Sequence, residues 1–316
     1  MKCEPTSPAL LPRAQAVLRF LFDAHPLPVA TRTLARGFFS LPGGGQKSSE
    51  NRTLRLLDQL RKRDLVVAGT GLTVGGRPPS YWGLTKGAIE QLLELHVVTP
   101  DECGRRVTGH KALANLLRRQ HDLVVLGVEA LLHEFCRHTP RFKLSSACHD
   151  RRAWRGTGDS AIAPDLTAVV EAGGSRALLL VECQSDRPGH KAISEGKLPG
   201  YRAYLNGGGA ARDYGCSVAR LIFIAFSPDA TSIDLRNNQA ETLVDSGGLD
   251  AVARVATNQD IWRSGLGGAV FLRPGDIRKA RATGGDDFAS AKHLGNARRA
   301  VRDSRFATLP LTRWFE

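Results

Sequence analysis

Apolar positions recur every three or four residues through the first hundred residues, and in continuous or alternating runs beyond residue 160. In RAQAVLRFLFDA (13–24), Val17, Leu18, Leu21 and Phe22 share one helical face, and Pro26 and Pro28 end that helix. Thr31 is placed to cap a second helix carrying Leu34, Ala35 and Phe38. After LPGGGQKSS, with Ser48 or Ser49 as the next cap, ENRTLRLLDQLRKRD forms a third helix. It buries Leu54, Leu57 and Leu60 and exposes Arg52, Arg55, Arg61, Lys62 and Arg63. LVVAGTG then reads as a strand, the Gly/Pro-rich GGRPPS as a hairpin tip, and SYWGLTKGAIEQLLEL as a return strand and a fourth helix.

Helix, helix, basic helix, hairpin, helix is the order of a winged helix-turn-helix, predicted over residues 13–95. The basic third helix would pack one face and offer the other to phosphates and base edges of double-stranded DNA, through Arg52, Arg55, Arg61 and Lys62. Arg77, in the stiff Arg77-Pro78-Pro79-Ser80 tip, forms the wing. The competing interpretation is a helical interaction domain whose basic face is only solvated. Residues 96–111 read as a linker, and a long helix or helix pair spans about 112–138. Residues 139–160 are read as irregular and basic.

The segment IAPDLTAVVEAGGSRALLLVECQSD (162–186) carries the chemistry. Gly173-Gly174 between two β-rich runs predicts a two-residue hairpin, since both positions tolerate positive φ. Counting outward in step from that pair sets Asp165 opposite Glu182, with Cβ atoms roughly 4.5–5.5 Å apart. Gln184 shares the face of Glu182, and Leu166, Ala168, Val170, Leu179 and Val181 form the opposite, core-facing side. Two opposed carboxylates repel unless a cation offsets them, and oxygen ligands of this kind suit Mg²⁺, or Mn²⁺. Pro164-Asp165 with Glu182-x-Gln184 therefore reads as a PD-(D/E)xK motif, with glutamine where the lysine usually stands. Lys197, in the helix AISEGKLPGYRAYL, is the candidate substitute, with Tyr201 one turn later on the same face. Asp165, Glu182, Gln184 and Lys197 are the expected catalytic group. Asp165 and Glu182, joined by Glu134 from the preceding helix, are the expected metal ligands; Glu129 and Asp159 are alternatives to Glu134. For Asp165 and Glu182 the plain alternative is a pair of solvent-facing strand carboxylates.

SVARLIFIAFS follows as a buried strand, and GLGGAVFLRP as another. The fold class expected is α/β (α+β): the winged helix, then a restriction-endonuclease-like mixed sheet with flanking helices over 112–276. A basic tail occupies 277–316. The net charge of +13 is unevenly spread: +6 over 1–100, +4 over 101–160, −2 over 161–270 and +5 over 271–316. Basic flanks attract a polyanion, and an acidic middle suits a metal-dependent site. Six cysteines show no CxxC spacing, so neither a disulfide framework nor a zinc module is expected. No apolar run approaches the ~20 residues that span a bilayer, and the first residues lack a signal-peptide pattern, so a cytoplasmic protein without a membrane partner is expected.

These motifs resemble the replication-relaxation family of plasmids and integrative elements, including MobC-type mobilization relaxases. The elements that carry the resemblance are His121, Pro164-Asp165, LLLVECQSD, and Lys197-Leu198 with Tyr201. It covers most of residues 13–275. Where family members read E-x-D-x-G-T, this chain reads ECQSDRP. The resemblance implies nicking or processing of DNA at an origin of transfer or replication, possible companion mobilization proteins, and a degenerate nuclease domain. The alternatives left open are a non-catalytic DNA-binding accessory or replication regulator, and another PD-(D/E)xK endonuclease. The four tyrosines and nine histidines form no metal-histidine cluster with a nucleophilic tyrosine, which points away from covalent tyrosine catalysis.

Overall fold

The structure is a computed structural model that describes residues 10–24, 27–70, 80–103, 120–149, 153–185, 196–226, 239–240, 243, 248–249, 251–276, 278 and 310–314. It is a mixed α/β chain divided into two compact units, Met1–Leu126 and Gly127–Glu316. Arg77 and the hairpin tip, the linker beyond Cys103 and nearly all of the basic tail lie outside the described residues.

The first unit runs α1 (Pro12–Asp23), β1 (Val29–Ala30), α2 (Thr31–Phe39), α3 (Gln46–Lys62), β2 (Val66–Thr70), β3 (Ser80–Leu84), α4 (Lys86–Glu94) and α5 (Pro100–Cys103). Its strands form an antiparallel sheet in the order β1-β3-β2. The predicted stripes Val17, Leu18, Leu21, Phe22 and Leu34, Ala35, Phe38 are all buried, with Phe20 and Phe38 edge to face at 5.4 Å. Each buried aliphatic or aromatic side chain contributes roughly 1.5–3 kcal/mol of transfer free energy.

Three local expectations need correction. Thr31 does not cap α2: its hydroxyl donates to the Ser80 carbonyl at 3.1 Å and accepts from the Trp82 indole at 2.8 Å, tying the start of α2 to β3. Helix α3 begins at Gln46 behind Gly45, with no side-chain cap, so Ser48 and Ser49 lie inside it. Leu54 is only half-buried, while Thr53 is fully buried and returns its hydroxyl to the Ser49 carbonyl at 2.8 Å. At about 100° per residue, positions 53, 57 and 60 share a face that 54 does not.

The second unit holds a five-stranded sheet in the order β4-β5-β6-β7-β8. The strands are β4 (Phe142–His149), β5 (Leu166–Ala172), β6 (Ser175–Ser185), β7 (Val218–Phe226) and β8 (Ala253–Thr257). Helices α6 (Gln120–His138), α7 (Leu198–Asn206), α8 (Gly209–Tyr214) and α9 (Asn258–Ser264) accompany it. β4, β5 and β6 are antiparallel; β6, β7 and β8 are parallel. Parallel strands require a crossover, and α7 lies within the first one.

Two strands differ from expectation. Residues 142–149, read as irregular, form edge strand β4, whose pattern is obscured by a bulge between Leu144 and Ser146. The last strand is 253–257; GLGGAVFLRP contributes only one antiparallel bridge, Val255 to Leu272. Both faces of the central strands are apolar. Leu166, Ala168, Val170, Leu179 and Val181 are buried on one, as expected. The Glu182 face is also core, with Val169, Leu178 and Leu180 packed with Tyr201 and Tyr204 of α7. Central strands of a sheet covered on both sides read this way because neither face meets water.

Candidate active site

Gly173 and Gly174 both take positive φ, +55° and +82°, and close the β5–β6 turn as the sequence requires. Leu166 pairs with Val181 and Ala172 with Ser175, so the predicted register holds. Asp165 stands just before β5, and its N–H still reaches the Val181 carbonyl at 3.0 Å. Its carboxylate accepts the backbone N–H of Cys183 at 2.8 Å, which holds it beside Glu182.

Glu182 is fully buried. One carboxylate oxygen accepts from the Lys197 ammonium at 2.5 Å, and the other accepts the Tyr201 hydroxyl. Lys197 immediately precedes α7 and Tyr201 lies four residues on, the spacing that puts both on one face. Gly200 lets the helix seat this closely: a Cβ there would meet the Ala161 carbonyl oxygen at 2.6 Å.

Burial, reinforced by the neighbouring Asp165 charge, raises the Glu182 pKa from 4.5 to about 7, against the pull of Lys197 and Tyr201. Burial alone would lower the Lys197 pKa, but the Glu182 and Asp165 charges outweigh it and the net direction is up. Lys197 therefore stays charged where Glu182 is only half ionised. Burial also drives the Tyr201 pKa well above its ordinary value, with Glu182 adding to it. The hydroxyl is a donor held in its protonated form. The pKa values of Tyr81, Tyr204 and Tyr214 are raised too, in each case chiefly by burial.

Lys197 thus lies beside Glu182, and Tyr201 is the second partner that spacing alone only hinted at. Gln184 is buried on the Glu182 face, level with Ala225 of β7. Glu134 is a half-buried residue of α6 and does not join the pair: among the described residues no three His, Cys, Asp or Glu side chains gather to hold a metal. Glu129 is buried instead with its Oε2 3.6 Å from His149 Nε2. His149 pairs with Leu166, which places it on the opposite sheet face from Glu182. Asp159 is exposed in a short 3₁₀ turn. Five described cysteines are free thiols.

In the first unit, α3 carries a continuous polar face of Ser48, Asn51, Arg52, Arg55, Gln59 and Lys62, which fall within about 100° of one another. Asn51 and Gln59 were missed by a reading that counted only cations. Arg55 and Lys62 are exposed, whereas Arg52 is half-buried, with an enclosed Nε that has no hydrogen-bond partner among the described residues. Arg61 points elsewhere, about 120° from Arg55, and pairs with Asp58 at 3.1 Å. No described helix is long and apolar enough to cross a membrane.

Neither family models, nor curated proteins, nor solved structures yielded a match to this chain.

Proposed function

We propose that this chain binds DNA through a winged helix-turn-helix in its first unit and hydrolyses a phosphodiester in a restriction-endonuclease-like, PD-(D/E)xK second unit. The observation that carries the reading is the convergence of Asp165, Glu182 and Lys197 at one end of the β5–β6 hairpin. Origin DNA of a mobile element, of transfer or of replication, is the substrate that the family resemblance suggests, with other mobilization proteins as companions.

Asp165 and Glu182 fit an ion of the Mg²⁺ or Mn²⁺ type, which needs only one or two protein carboxylates when water and substrate phosphate complete its shell. Bound there, it would supply Lewis acidity and a more acidic water. The chain's own groups do the rest. Lys197 places a positive charge where phosphate charge develops. Gln184, being neutral, orients a water by hydrogen bonding and takes no proton. Tyr201 fixes the Glu182 carboxylate. Supercoiled DNA carrying the element's origin should be converted to open circles with Mg²⁺ or Mn²⁺, and Asp165→Ala and Glu182→Ala should each abolish this.

One observation favours a second reading, a DNA-binding regulator with a retired nuclease fold. Both Glu182 oxygens are already engaged, and Lys197 stands as a resident cation. Intact, specific DNA binding by a wild-type protein that leaves the DNA uncut would establish it.

The α3 face has the residue types that read base edges: Arg for guanine, Asn and Gln for adenine. Arg52→Ala with Arg55→Ala should cost about 1–3 kcal/mol in affinity for the cognate duplex, and binding should weaken steeply with salt. Fluorescence anisotropy across a salt series measures both. Unchanged affinity, or salt-independent binding, removes this face from the interface.

A further inference from the structure

The segment from Ala153 to Ile162, just ahead of Asp165, is closed on itself. Arg155 donates its N–H to the Ile162 carbonyl at 3.0 Å and Ile162 returns the bond at 2.8 Å. Gly156 sits at φ +74°, and a Cβ there would lie 2.2 Å from the Ser160 carbonyl oxygen, so the turn admits only glycine. The Ser160 N–H and hydroxyl both bond the Thr157 carbonyl, at 3.2 and 2.9 Å.

This rigid loop leaves Trp154 54% exposed. Beside it, the Arg155 guanidinium donates to the Trp154 carbonyl at 2.6 Å and lies over the Tyr214 ring, 5.0 Å from its centroid. Arg212, on α8, is exposed and bonds Asp213 at 2.7 Å; Asp213 also accepts the Tyr204 hydroxyl at 3.0 Å. Trp154, Arg155, Arg212 and Asp213, with the loop's Gly156, Thr157 and Ser160, line an open pocket of about 560 Å³, within the ~300–1,000 Å³ of ligand clefts.

An exposed indole offers a flat π surface, and the described lining places two guanidiniums and one carboxylate next to it. That pairing suits a planar base joined to a phosphate, because every nucleobase has a π face and tolerates stacking on an aromatic ring. Bases in a duplex have both faces covered by their neighbours, so only an unpaired nucleotide can use this surface. The loop is packed on the catalytic helix: Ala161 meets Gly200, and Tyr204 lies one turn beyond Tyr201. We infer that the Trp154 pocket binds an unpaired nucleotide of the strand that the Asp165–Glu182–Lys197 site acts on, an inference that rests on the nuclease reading for its strand but not for its chemistry.

The test uses the full chain, a chelator to prevent cutting, and three labelled probes: an oligothymidylate, an abasic oligomer with the same number of phosphates, and a duplex. Trp154→Ala should weaken oligothymidylate binding about tenfold or more, Trp154→Phe should restore most of it, and the abasic oligomer should bind weakly to both wild type and Trp154→Ala. Duplex affinity should stay within about twofold. Oligothymidylate binding indifferent to Trp154→Ala, or an equal loss on the abasic oligomer, overturns the inference. Because no cutting is required, a protein that never hydrolyses DNA still returns a clear answer here.

Discussion

In the hydrolysis proposed above, Lys197→Ala is expected to lower the rate by about 100-fold or more, the usual scale for losing one preorganised partner of transition-state charge. Lys197 is the cation that hydrogen-bonds Glu182, from 2.5 Å. Gln184 carries no charge to replace it. The substitution also removes the group that offsets a fully buried carboxylate, and breaking a buried pair from one side leaves the other charge stranded. The Lys197 side chain is 41% exposed, so water screens part of that penalty. A purely structural role and a catalytic one separate by rescue. Gln184→Lys puts an ammonium on the Glu182 face of β6, so it should recover cutting in the Lys197→Ala background. Plasmid-nicking rates for the single and double variants decide the matter; wild-type cutting by Lys197→Ala would remove the lysine from the mechanism.

The second expectation concerns stability. Glu182 titrates near 4.5 when unfolded and near 7 when folded. Between those values the native state holds more protons than the unfolded chain, so stability must fall as pH rises. The loss should be complete above about pH 7 and amount to about 3 kcal/mol for this group alone. Lys197 shifts upward from 10.5 and so acts outside this window. Glu102, beside Arg19 and the Thr99 N–H, is lowered to about 2 despite its partial burial, so its contribution fades only as pH falls below 4.5. Urea melts at pH 5 and pH 7.5 should show wild type weakening across the interval and Glu182→Gln not doing so. Equal slopes in the two proteins would mean that Glu182 is ionised throughout.

Local chemistry was legible in the amino-acid sequence wherever one rule governed one segment. The Gly173-Gly174 pair can only turn, a two-residue turn sets a register, and the register puts Asp165 next to Glu182; no tertiary information enters that chain of steps. The same holds for the apolar stripes of α1 and α2, and for the four-residue spacing that sets Lys197 and Tyr201 on one side. The tertiary structure decided whatever depends on groups meeting across space. β4 was hidden because a bulge breaks its alternation and its partner, β5, lies some twenty residues on. Glu134 and Glu129 sit five residues apart on one helix, and only packing shows that Glu129 turns to His149 on the far face of the sheet. Strand alternation foretold that Glu182 and Gln184 share a face, but not that α7 would cover that face and seal Glu182 from water. That burial, which is a property of the assembled fold and of no single segment, is what moves its pKa to neutrality.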